Sequence, residues 1–193
     1  MIHRFLENTK VVLASGSDRR RFLLQMMGVK PLVLPSSYAE TPNGLPPAEQ
    51  VIAHASAKAR TVQQDLDPDC LVIGADTIVV IDKMILGKPR NAAEAREYLR
   101  LLSGRSHWVY TGICLLYKDH VSTGYRRTKV TFDSLTESDI EEYVATEEPM
   151  DKAGAYGIQG FGAQFITEIE GCYFNVMGFP LNLFYQLCRE VMA

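Results

Sequence analysis

Six polar residues sit where their surroundings do not call for them: Arg19, Arg20, Lys58, Asp76, Lys88 and Gln159. Four cations with one carboxylate inside an apolar run suit a triphosphate that carries a divalent metal. The cations neutralise phosphate oxygens, while the carboxylate holds the metal or takes a proton from attacking water. Magnesium commonly binds through one or two carboxylates plus substrate phosphates, so a dedicated protein cage is not required. Glu40, the one strong acid in a proline-rich loop, is a candidate to join Asp76 as a metal ligand. Gln159 both donates and accepts hydrogen bonds, which suits the edge of a nucleobase. The chain has no Walker A motif, no Gly-x-Gly-x-x-Gly and no Gly-x-Ser-x-Gly, so P-loop, dinucleotide-fold and nucleophile-elbow readings do not apply.

These residues need elements to hold them. The apolar run Val11-Val12-Leu13-Ala14 stops at Ser15-Gly16-Ser17, and a helical pattern closed by Gly28 follows. That is strand, tight turn, helix, with Ser17 as the natural N-cap. Arg19, Arg20 and Arg21 then lie in the first turn, where cations are disfavoured by the helix dipole, and Asp18 offsets them only in part. Two readings are open: solvated surface arginines, or an anion receptor of backbone N–H groups, serine hydroxyls and guanidinium groups.

Residues 31–35 predict a short strand, and 36–47, with three prolines and Asn43-Gly44, a loop. Pro46-Pro47 opens a helix to about residue 64. Its apolar stripe is Val51, Ala55 and Val62, and Lys58 falls within that stripe. The lysine either reaches past the core edge or serves a site.

Residues 70–81 form the strongest strand, a near-continuous apolar run of the kind buried on both faces of a sheet. Asp76 interrupts it. A carboxylate there is a structural ion paired inside the core, or it faces a cleft and is used. Gly74 just before it marks a close approach of backbone or ligand. Asp82-Lys83 turns the chain into a hairpin partner over 84–86, which ends at Gly87-Lys88-Pro89. Asn91 caps the next helix, Glu94 is placed to complete a capping box, and Gly104 ends it. Two long antiparallel strands, 107–117 and 121–132, follow, then a helix from Thr136 to about residue 146, with Asp139 at its third position. Residues 147–162 are rich in glycine yet keep Tyr156, Ile158 and Phe161, which predicts an ordered loop. Strands over 165–168 and 172–176 and a closing helix over 181–191 complete the chain.

With 193 residues and 47% hydrophobic content, the chain is expected to form one globular domain over 1–193 or two lobes sharing a cleft. A net charge of −3 argues against general nucleic-acid affinity. Four cysteines and four histidines without ligand spacing predict reduced thiols and no structural zinc site. No apolar stretch is long enough for a membrane span and no signal segment is evident, so the expectation is a cytoplasmic protein.

The stretches Leu13-Ala-Ser-Gly-Ser-Asp-Arg-Arg20, Gly74-Ala-Asp-Thr77, Gly87-Lys-Pro89, Glu148-Pro-Met-Asp-Lys-Ala-Gly-Ala-Tyr-Gly-Ile-Gln-Gly160 and Asn175-Val-Met-Gly-Phe-Pro-Leu181 together resemble the Maf family of nucleoside triphosphate pyrophosphatases. Asp18 departs from that pattern, which usually has proline there. The resemblance implies metal-dependent hydrolysis of a nucleoside triphosphate to the monophosphate and pyrophosphate. It implies an α/β fold, a mixed twisted sheet with flanking helices in two lobes around a central cleft, similar to inosine triphosphatase, and a possible homodimer. By motif match Asp76 is the proton acceptor, and Ser15, Ser17, Arg19, Arg20, Lys58 and Lys88 hold the triphosphate. A magnesium or manganese ion would bind at Asp76, with Glu40 as a candidate second ligand. Arg19, Thr77 and Gln159 match positions of the branch that hydrolyses dTTP and UTP. Two other readings follow from the same family: a non-catalytic nucleotide-binding regulator of cell division, and removal of non-standard nucleotides in general. Asp76 together with both lysines favours an enzyme.

Overall fold

Apolar and β-branched runs become strands, and prolines, glycines and Asx residues end them. The computed structural model describes residues 1–41 and 44–192, the side chain of His3 excepted. Pro42 and Asn43, part of the loop expected over 36–47, lie outside the described residues. The elements are α1 (Ile2–Leu6), β1 (Val11–Leu13), α2 (Asp18–Met26), β2 (Leu32–Val33), α3 (Pro47–Gln63), β3 (Leu71–Ile81), β4 (Met84–Leu86), α4 (Ala92–Leu102), β5 (Ser106–Tyr117), β6 (His120–Phe132), α5 (Glu137–Ala145), β7 (Ile166–Glu170), α6 (Tyr173–Val176) and α7 (Leu181–Val191). Among the described residues the strands make one seven-stranded sheet, in the order β2-β1-β3-β5-β6-β7, with β4 paired to β3. It is mixed: β1 runs parallel to β2 and β3, whereas β3–β4 and β6–β7 are antiparallel. The α/β class expected from the sequence is therefore the one observed.

The chain divides into two compact units, one of Met1–Asp76, Thr111–Arg126 and Gly178–Ala193, the other of Thr77–Tyr110 and Arg127–Met177. In the first, the register Val11↔Leu71 to Leu13↔Ile73 aligns β1 with the start of β3. Val12, Ala14, Val72, Cys114 and Leu116 pack with Ala55, Ala59 and Val62 of α3. Small residues let α3 lie directly on the sheet backbone. A Cβ on Gly74 would stand 2.0 Å from the Ala55 carbonyl oxygen, and one on Gly112 would stand 2.5 Å from that of Val51. That intimate contact brings the middle of α3 against the part of β3 that carries Asp76. All four cysteines are free, and three are buried.

In the second unit, Val79, Leu99, Phe132, Tyr143, Tyr156 and Phe165 share a core. Asp82 and Lys83 both adopt positive φ, the geometry that matches a two-residue turn to strand twist. Thr136 and Asp139 form the capping box of α5. The box expected at α4 is only half formed. The Asn91 side chain accepts from the Glu94 amide, but the Glu94 carboxylate turns to the backbone and guanidinium of Arg90, a charged donor that outcompetes the Asn91 N–H. Residues 172–176, expected as a strand, instead give the short helix α6, with Cys172 as its N-cap. Asn175 decides this: its buried amide donates to the Val109 carbonyl and the Thr128 hydroxyl, each at 3.0 Å, and a helical turn aims it inward.

Candidate active site

Asp76 sits on β3 just after Gly74 and is 2% exposed. An isolated carboxylate at such depth is costly, and its partners come from α3. The Lys58 ammonium donates to Asp76 Oδ1 at 2.7 Å and to the Ala75 carbonyl at 3.3 Å, and lies 2.5 Å from Glu40 Oε1. His54 is one helical turn before Lys58, on the same face of α3. Its Nδ1 stands 3.3 Å from the other Asp76 oxygen, Oδ2, and its Nε2 lies 3.2 Å from the Thr41 carbonyl oxygen. The Tyr38 ring packs edge-on to the imidazole. Lys58 is thus buried against Asp76 rather than reaching out to solvent.

The arginine-rich turn meets the same strand. Ser17 caps α2 by accepting from the Arg20 amide, as expected. The buried Arg20 guanidinium donates to Ser15 Oγ at 2.9 Å and to the carbonyls of Ala75 and Gly178 at 3.0 Å each. The sequence expectation gave Arg20 to the triphosphate. The structure shows three of its N–H bonds bracing protein oxygens, so it fixes the Ser15 hydroxyl and the backbone beside Asp76. Burial pushes its pKa down, while the Asp76 and Glu40 carboxylates counter that shift. Arg19, on the same turn, is half-buried. Ser15, Ser17, Arg19, Arg20, Glu40, Lys58 and Asp76 therefore all belong to the first unit.

Thr77, Lys88 and Gln159 belong to the second unit. Lys88 is exposed in its turn, and Gln159 is exposed in the glycine-rich loop. That loop is ordered, as expected, through three short 3₁₀ turns. The Glu148 carboxylate organises it, accepting from the Tyr143 hydroxyl at 2.9 Å and from the amides of Phe161 and Gly162 at 2.9 and 3.2 Å. The Gly154 amide also donates to the Gly87 carbonyl, which ties the loop to the turn that carries Lys88.

The donor set beside Asp76 suits a divalent cation. One ligand atom each from Glu40, His54 and Asp76 fall within 4.8 Å of one another. His54 Nδ1 and Asp76 Oδ2 are both buried and neither has an aligned hydrogen bond, although they lie 3.3 Å apart. Nitrogen and carboxylate oxygen together are donors that first-row divalent ions accept. The sequence points to Asp76 and Glu40 but not to His54, because the four histidines show no ligand spacing from one another. The available signal was its position four residues before Lys58. Glu148 was missed as well, since nothing in the glycine-rich stretch announces a half-buried carboxylate as its hub.

The family model described as "Maf-like protein" matches residues 10–191. Among curated proteins, the chain is 48% identical over 183 residues to a protein of Bacillus thuringiensis subsp. konkukian named dTTP/UTP pyrophosphatase, covering 94% of each chain. It is 50% identical over 183 residues to one of the same name from Bacillus cytotoxicus, again over 94% of each. No described helix is long and apolar enough to cross a membrane.

Proposed function

The chain belongs to the Maf family of Maf-like proteins, and from that membership we propose that it hydrolyses a nucleoside triphosphate, UTP or dTTP by preference, to the monophosphate and pyrophosphate. The observation that carries the reading is Asp76, a buried carboxylate gripped by Lys58 and faced by His54. Asp76 accepts a proton from water as the water oxygen bonds to the α-phosphorus. The bond from that phosphorus to the bridging oxygen breaks, and pyrophosphate leaves with the electron pair. Lys58 holds the carboxylate in position, and its charge, with those of Arg19 and Arg20, offsets the negative charge of the phosphates. Ser15, fixed by Arg20, offers a hydroxyl at the same turn. A divalent ion held by Asp76, Glu40 and His54 would neutralise charge on the phosphate oxygens.

Lys88, Thr77 and Gln159 keep in this proposal the roles that the family resemblance gives them: phosphate binding for Lys88, pyrimidine preference for the other two. The proposal also carries a homodimer, a cytoplasmic location and residues 1–193 acting as one domain. Pyrophosphate release from a panel of UTP, dTTP, CTP, ATP and GTP tests it. UTP and dTTP should turn over fastest, and Gln159→Ala should shrink that preference by about tenfold, the equivalent of one lost polar contact. A uniform loss across the panel would remove Gln159 from base recognition. Binding without pyrophosphate release would favour the regulator.

A further inference from the structure

His54 presents a problem of hydrogen-bond accounting. Its Nε2 lies 3.2 Å from the Thr41 carbonyl oxygen, which can only accept, so Nε2 carries the proton. In the neutral imidazole Nδ1 is then a bare lone pair, and it faces Asp76 Oδ2, another acceptor, at 3.3 Å. His54 and Asp76 are 3% and 2% exposed, and neither atom has a hydrogen-bond partner. Two buried acceptors left face to face are unfavourable. Either a second proton on the imidazole or a cation shared by both atoms relieves that.

The surroundings favour the cation. The remaining oxygen of Asp76, Oδ1, is already held by Lys58, which leaves Oδ2 as the open ligand atom. Glu40 brings a third donor within 4.8 Å. Two donors at right angles on an ion with bonds of about 2.1 Å stand roughly 3 Å apart, close to the separation observed. The Nε2–carbonyl contact is the outer hydrogen bond that orients metal-binding histidines.

We propose that His54 is a nitrogen ligand in a Glu40–His54–Asp76 site and that it selects a first-row transition ion such as manganese over magnesium. Imidazole is a good ligand for the former, whereas magnesium prefers oxygen throughout. The inference rests on the proposed function only in taking Asp76 to work beside a divalent ion.

The test uses the nucleotide-free chain and manganese alone. Free manganese is followed by electron paramagnetic resonance, and ¹⁴N coupling to the bound ion by electron spin-echo modulation. The wild type should bind one manganese with ¹⁴N coupling, and magnesium should compete at least about tenfold more weakly. His54→Leu should lose the coupling and at least about tenfold in manganese affinity. Bound manganese without ¹⁴N coupling overturns the proposal, as does equal affinity in both proteins or no binding at all. If His54→Leu does not fold, the coupling in the wild type decides alone. Pyrophosphate release is measured on the same wild-type samples. Turnover without nitrogen coupling removes only this inference, and coupling without turnover on any triphosphate removes only the pyrophosphatase reading.

Discussion

Asp76 and Lys58 would each be costly to bury alone, and the contact between the ammonium and Asp76 Oδ1 offsets part of that cost for both. Lys58→Met would leave the carboxylate without the ammonium that contacts it at 2.7 Å. Breaking a buried pair from one side costs about 3–5 kcal/mol, so the urea midpoint should fall accordingly, and Asp76→Asn in the same chain should restore part of it. His107 gives a second residue-level prediction. Burial pushes its pKa down to about 4, and its Nε2 lies 2.7 Å from the Tyr156 hydroxyl. The unfolded chain therefore takes the proton first. The contribution is complete above pH 6.5 and is lost as pH falls from 6.5 toward 4, on the order of 3 kcal/mol in all. A His107→Gln chain should lack that component when melting temperature is followed across the same range. The sequence exposed Asp76 and Lys58 because each breaks an apolar period. It did not expose His54, whose partners Thr41 and Asp76 are remote in sequence, nor Arg20's acceptors Ala75 and Gly178.

At the scale of elements, the site depends on how closely α3 lies on β3. Gly74 is the contact point, with the Ala55 carbonyl where a Cβ would go. Gly74→Ala should destabilise the chain by about 3 kcal/mol or more, the upper end for overpacking. Gly87→Ala, with nothing within 4 Å of the added carbon, should change stability by less than about 0.5 kcal/mol. Thermal melts of the two variants side by side check this. Most elements were legible because caps and breakers are local: Ser17, Pro47, Asn91 and Thr136 mark helix starts, and Asp82-Lys83 marks a hairpin. Residues 172–176 were not, because their helical turn is set by Asn175 reaching Val109 and Thr128 across the unit. The Glu94 side chain departs from its expected place for a related reason, since the competing donor Arg90 lies just outside the capping pattern.

For the whole molecule, the α/β class follows from apolar strand runs interleaved with helical periods, and the family from motifs that span nearly the entire chain. Two lobes were among the expectations, but the boundaries of the two units were not legible. β3, β5 and β6 each supply residues to both units, and only packing shows where one unit gives way to the next. In the proposed reaction, water deprotonated by Asp76 attacks the α-phosphorus. Hydrolysis of UTP in ¹⁸O-water, with products weighed by mass spectrometry, shows which bond breaks and which group receives the water oxygen. The wild type should release UMP carrying one ¹⁸O and unlabelled pyrophosphate, and Asp76→Asn should slow that release by about 10²–10⁴-fold, the range for a lost general base. Label in pyrophosphate, release of UDP with phosphate, or an Asp76→Asn chain as fast as wild type would contradict that reaction.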